Sequence, residues 1–197
     1  TIVEEDGYLL LKKGAAREPI SENLATFTEF SQLPPDARLL EARFGDEIDL
    51  IGVTPEIRRL ATSETEPQVI LYFETITQPA EDYHLFLYVI DESGQVVGAT
   101  DYPQPAIFWW PTSRWQPGDK RQVRVNTIPW WTGDKEVFTY AVGLSRSNDP
   151  WDVSARLPVR VADNPGEIFD HGTLLPVARF FRFGGLSYPA SLNSARK

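Results

Sequence analysis

The chain has no cysteine, no methionine and only two histidines among its 197 residues. Without cysteine there is no disulfide, no thiolate nucleophile and no Cys-ligated metal. Without methionine, even at position 1, Thr1 is expected to be a processed or internal start. His84 lies inside a strand-like run, where a packed or hydrogen-bonded role is expected. His171 lies in the loop signature Asp170-His171-Gly172 and has no clustered partner that would make a zinc site. Neither a phosphate-binding glycine loop nor a dinucleotide fingerprint occurs. The nearest approach to a nucleophile elbow, Gly143-Leu144-Ser145-Arg146-Ser147, lacks the second glycine. Asp46-Glu47-Ile48-Asp49 lacks the spaced oxygen ligands of a calcium loop and reads as a solvated strand start. No catalytic residue, metal or cofactor is therefore expected. With 28 acidic residues, a facing glycosidase-type pair remains open on counting alone. No apolar run approaches the roughly 20 residues of a membrane helix.

Positive charge is also short: 19 basic residues against 28 acidic leave a net charge of −9. Such a chain repels nucleic acid, and no Lys/Arg stripe overrides that average. On the same average, anionic lipid surfaces are disfavoured.

What is present is strand signal. Arg121, Val123, Val125 and Thr127 alternate with Lys120, Gln122, Arg124 and Asn126, a period of two with one mostly apolar face. Ala155, Leu157, Val159 and Val161 alternate with Arg156, Pro158 and Arg160, and Pro158 places that strand at a sheet edge. Three runs, Val69–Phe73, Tyr83–Ile90 and Val137–Leu144, are apolar at every other position and also between. They read as central strands covered on both faces. Further strands are expected near Leu39–Phe44, Ile48–Val53, Gln95–Thr100 and Leu174–Phe183, with one short helix within Glu56–Glu64. Asp91-Glu92-Ser93-Gly94 reads as a hairpin turn. The fold class expected is all-β: an antiparallel two-sheet β-sandwich, immunoglobulin-like or jelly-roll-like, with irregular ends. Residues 1–36 would be an N-terminal extension, 37–183 the sandwich and 184–197 a C-terminal tail.

The unusual stretch is Asp101–Asp119, with Trp109, Trp110 and Trp115 among four prolines. Trp130-Trp131 follows the next strand and Trp151 sits in another loop. Tryptophan is rarely left bare in water, so three readings compete: caps on the sandwich core, a stacking platform for sugar rings, or a docking surface for protein or lipid headgroups. The candidate binding residues are Trp109, Trp110, Arg114, Trp115, Trp130, Trp131 and Trp151.

The run Glu81–Asp91, then Pro111-Thr112-Ser113-Arg114-Trp115-Gln116-Pro117-Gly118-Asp119, then Ala141–Leu144, resembles a soluble β-sandwich domain. That domain is appended to bacterial polytopic membrane glycosyltransferases of the dolichyl-phosphate-mannose mannosyltransferase type. Phe44–Gly52 is similar to its opening strands, and the likeness covers about residues 39–161. It implies an extracytoplasmic sandwich, periplasmic or at the cell surface, tethered to a membrane protein. It carries over no catalytic residue. The chain departs from the pattern at Phe73, where tryptophan is usual, and at Trp109-Trp110 and Trp130-Trp131. The expected function is a non-catalytic accessory module whose partners are a membrane protein or membrane-complex subunits. The alternative is a glycan-binding module using the loop tryptophans.

Overall fold

The computed structural model describes residues 3–5, 8–10, 28–59, 65–100, 104–105, 110–125, 136–161, 168–183 and 186–190. They form β1 (Val3–Glu5), β2 (Tyr8–Leu10), β3 (Arg38–Phe44), β4 (Ile48–Arg59), β5 (Thr65–Thr75), β6 (His84–Ile90) and β7 (Val96–Ala99). There follow β8 (Gln104–Pro105), β9 (Lys120–Val125), β10 (Val137–Ser145), β11 (Val159–Val161), β12 (Leu175–Phe183) and β13 (Leu186–Ala190). β1 and β2 make a small sheet of their own.

The other strands form two antiparallel sheets. Sheet one runs β11-β3-β4-β5-β9; sheet two runs β13-β12-β10-β6-β7, with β8 also paired to β6. The expected all-β sandwich is what forms. In the order β4-β5-β9 facing β12-β10-β6-β7 the chain crosses between the sheets after β5, with β3 and β11 added beyond β4.

Alternation places the core. Phe44, Ile48, Leu50, Leu71 and Phe73 of sheet one meet Leu85, Leu87, Phe138, Tyr140 and Phe180 of sheet two, all buried. Phe180 stacks on Phe138 at 5.6 Å and meets Tyr140 edge-on at 5.2 Å. The outer faces of the central strands are also covered, by loops. Over sheet two, Leu174 and Phe169 pack on Phe86, Tyr88 and Ala141. Over sheet one, Phe30 lies edge-on to Tyr72 at 5.2 Å. Leu33 lies so close to Gly52 that a Cβ there would come within 2.9 Å of it.

Four expectations are corrected or refined. Of the segment Glu56–Glu64 expected to hold a helix, Glu56–Arg59 is strand and residues 60–64 lie outside the described residues. Pro55 is tolerated there because β3 stops pairing at Val53, leaving that side of β4 open. Val153–Ala155 is a 3-10 turn, so β11 begins only at Val159, at the sheet edge that Pro158 favours. Arg156, expected on a polar face, is instead 4% exposed. The segment read as a tail holds β13, which pairs with β12 through Phe181↔Tyr188 and Phe183↔Leu186.

Candidate functional site

The described loop aromatics gather at one end of the sandwich, where β5 and β10 finish and β6 begins. Pro111-Thr112-Ser113-Arg114 winds into one 3-10 turn that Thr112 ties down. Its hydroxyl donates to the Glu81 carbonyl at 3.0 Å and accepts from the Tyr83 amide at 2.8 Å. This turn drives Trp115 inward to 1% exposure, tilted against Phe73 at 6.1 Å. Its indole N–H donates to the Trp110 carbonyl at 3.0 Å. Trp115 is therefore a core side chain, and its expected place in a binding surface is corrected.

Trp110 is half-buried against the same core. Arg114 and Arg121 sit over its ring at 5.5 and 5.9 Å, within cation–π range. Its own indole N–H is enclosed and meets no acceptor. Arg114 is exposed. Trp151 is 54% exposed on the separate loop after β10, where its backbone N–H donates to Asp149 Oδ1 at 2.9 Å. Trp109, Trp130 and Trp131 lie outside the described residues.

Polar side chains at this end are mutually occupied. Tyr83 donates its hydroxyl to Glu47, and burial, followed by that carboxylate, pushes its ionisation well above the usual tyrosine range. Arg146 pairs with Glu81 at 2.8 Å. Arg121, 4% exposed, pairs with Glu29 at 2.9 Å and Asp119 at 2.8 Å. On the outer face of sheet two, buried Arg156 pairs with Asp170, donates to the Pro150 carbonyl at 2.8 Å and lies 4.8 Å over Tyr88. These are cross-braces between loops. Among the described residues no three His, Asp or Glu side chains converge as metal ligands.

Of the seven large apolar side chains exposed among the described residues, four lie together on β12 and β13, toward the opposite end. Phe181, Phe183, Leu186 and Tyr188 are 44, 83, 38 and 49% exposed. The register makes them two cross-strand pairs, and the strand period of two puts them on one outer face of β12 and β13. The outer face of sheet two is thus divided. Its β6 side is roofed by the loops around Pro150 and Phe169–Leu174, and among the described residues nothing roofs its β12–β13 side. Sequence reading stopped at Phe183 and missed this patch. The signal was there: Gly184-Gly185 is a dipeptide that favours hairpin turns, and Leu186 and Tyr188 resume the alternation after it.

No known protein family, curated protein or solved structure matches the chain.

Proposed function

We propose that this chain is a non-catalytic accessory module that docks within a membrane-bound assembly through the bare face of β12–β13. One observation carries this reading: four large apolar side chains stand in water side by side, while the rest of the same sheet face is covered. Contiguous apolar surface of that kind marks interaction sites. The extracytoplasmic setting and attachment to a membrane protein belong to the same proposal, supported by the resemblance of residues 39–161 to glycosyltransferase-appended sandwiches. Trp115 and Trp110 contribute little to docking, since Trp115 is core and Trp110 is braced from above by arginine.

The test is co-sedimentation of the full chain with washed cell membranes. Wild-type protein should pellet, and F181S/F183S should remain soluble with an unchanged circular dichroism spectrum. Equal pelleting of both proteins, or of neither, refutes the reading.

A further inference from the structure

What covers the docking face in the free chain can be named, on the assumption that β12–β13 is that face. We propose that it is a second copy: two molecules stack β12–β13 on β12–β13 in a closed, face-to-face dimer, which parts before the module docks elsewhere.

The edge of the sheet is excluded first. β13 is the last strand of sheet two. Its N–H groups point alternately toward β12 and away from it. On the side away from β12, the Ser187 N–H donates to Thr65 Oγ1 and Pro189 has none. A strand added along this edge finds no donor, so another chain cannot extend the sheet there. The inner face is occupied as well. Ser187 is 3% exposed beside β5, and the Arg182 guanidinium lies 5.9 Å from the Phe138 ring centre. An occupant therefore lies on the outer face of the hairpin.

Area is the second argument. At about 200 Å² per large side chain, the four exposures leave on the order of 400 Å² of apolar surface. One side of an ordinary protein interface buries about 800 Å², a little over half of it apolar. The patch is thus one complete side. Two copies placed face to face cover all four side chains of each in a single contact. The shape suits such pairing. Phe183 beside Leu186 and Phe181 beside Tyr188 stand on a plain strand face, and Val137 continues the second row on β10. Strand faces of this kind pack on one another at about 10 Å, as the two sheets of this molecule do.

Charge is the third argument, and it selects like for like. The chain carries −9, so two copies repel on average and meet best where the local charge is small. Around the hairpin it is small. Arg58, Arg179 and Arg182 stand against Glu66 and Glu136, within one unit of balance, and Arg58 pairs with Glu66 at 4.0 Å. Arg179 and Arg182 also have contacts within the fold. No excess of either sign calls for an acidic or a basic partner. Glu47, Glu81, Asp82 and Asp119 lie at the other end, around the strand ends at Thr75 and His84. β10 is 9 residues long. At about 3.3 Å per residue that end is about 30 Å from the tip, several times the ~8 Å Debye length. With the strands antiparallel across the contact, the acidic ends point to opposite poles of the dimer.

Sedimentation velocity of the full chain tests the proposal. Wild-type protein should pass from monomer to dimer between about 1 and 100 μM, with no larger species, because a two-fold contact closes. Raising salt from about 0.05 to 0.5 M should keep or tighten the dimer, since screening weakens repulsion between acidic chains; this arm needs no variant. F183S/L186S should raise the dissociation constant at least tenfold with an unchanged circular dichroism spectrum. A monomer at about 0.1 mM, open-ended oligomers, dissociation by salt, or a dimer indifferent to the substitutions overturns the inference. Co-sedimentation with cell membranes separates it from the reading it rests on. A monomeric chain that pellets through Phe183 and Leu186 leaves docking standing and overturns the dimer. A dimer undone by F183S/L186S that never pellets sustains the dimer and refutes docking. Where both hold, the pelleted fraction should fall as the chain concentration passes the dimer dissociation constant.

Discussion

Replacing Arg156 with methionine removes a charge from a site where only 1% of the side chain is exposed. The methionine keeps the unbranched stem over Tyr88, so packing changes little. What goes is the ion pair with Asp170, the bond to the Pro150 carbonyl and the contact with Thr173 Oγ1 at 3.4 Å. Breaking one side of a fully buried pair destabilises by about 3–5 kcal/mol. The Asp170 side chain is 25% exposed, so water recovers part of that, and R156M should lose about 2–3 kcal/mol. D170N, which keeps an acceptor oxygen, should lose about 1–2 kcal/mol. If the pair acts as a unit, the double variant loses less than the sum of the singles by about 1 kcal/mol or more. Equilibrium urea unfolding, followed by tryptophan fluorescence and far-UV circular dichroism together, measures all four corners of the cycle. Strict additivity, or a loss below about 0.5 kcal/mol in R156M, would falsify the claim that this ion pair clamps the two loops onto sheet two.

Other outcomes follow from the same contacts. W115A should destabilise by about 3–5 kcal/mol, as deletion of a large core ring does, and erase much of the near-UV dichroism; a surface docking ring would leave both unchanged. Burial, opposed by Arg156, lifts the Tyr88 hydroxyl to about 12 from the ordinary tyrosine value of 10.0. The folded state therefore holds this proton more tightly than the unfolded state. The associated stability is complete below pH ~10 and is lost as pH rises toward ~12, with a slope of at most about 1.4 kcal/mol per unit. Y88F should flatten that alkaline slope while losing about 1 kcal/mol at neutral pH with its hydrogen bond to the Pro150 carbonyl.

The periodic parts of the chain were readable because one residue's neighbours settle them. Lys120–Val125 alternates and is a strand; Val69–Phe73, Tyr83–Ile90 and Val137–Leu144 are apolar on both faces apart from His84 and Thr139, and all but His84, Val137 and Thr139 are buried. What covers their outer faces was not readable, because Phe30, Phe169 and Leu174 lie far from Tyr72, Phe86 and Ala141 in sequence. Arg156 misled for a related reason. Its alternation with Leu157 and Val159 is real, but the 3-10 turn before it aims the side chain into the roof of the other sheet. Tryptophan misled by rarity. A side chain so large attracts functional readings, yet Trp115 is spent on the core, whereas the exposed face of β12–β13 is built from phenylalanine, leucine and tyrosine on either side of Gly184-Gly185.

The placement of β11 has a consequence for how the chain reaches this fold. Val159 pairs with Phe44, 115 residues earlier in the chain. Strands β3, β4 and β5 are joined by successive hairpin connections and can associate locally, but their edge stays open until β11 arrives. At ribosomal speeds of about 5–20 residues per second, Phe44 waits roughly 6 to 23 s for Val159. Pairings of such long range also place the domain among slow-folding topologies. During that interval an unpaired strand edge and half a core are open to other chains. The nascent protein is therefore most vulnerable to misassembly before β11 is made, and among the described strands the hairpin β12–β13 comes last.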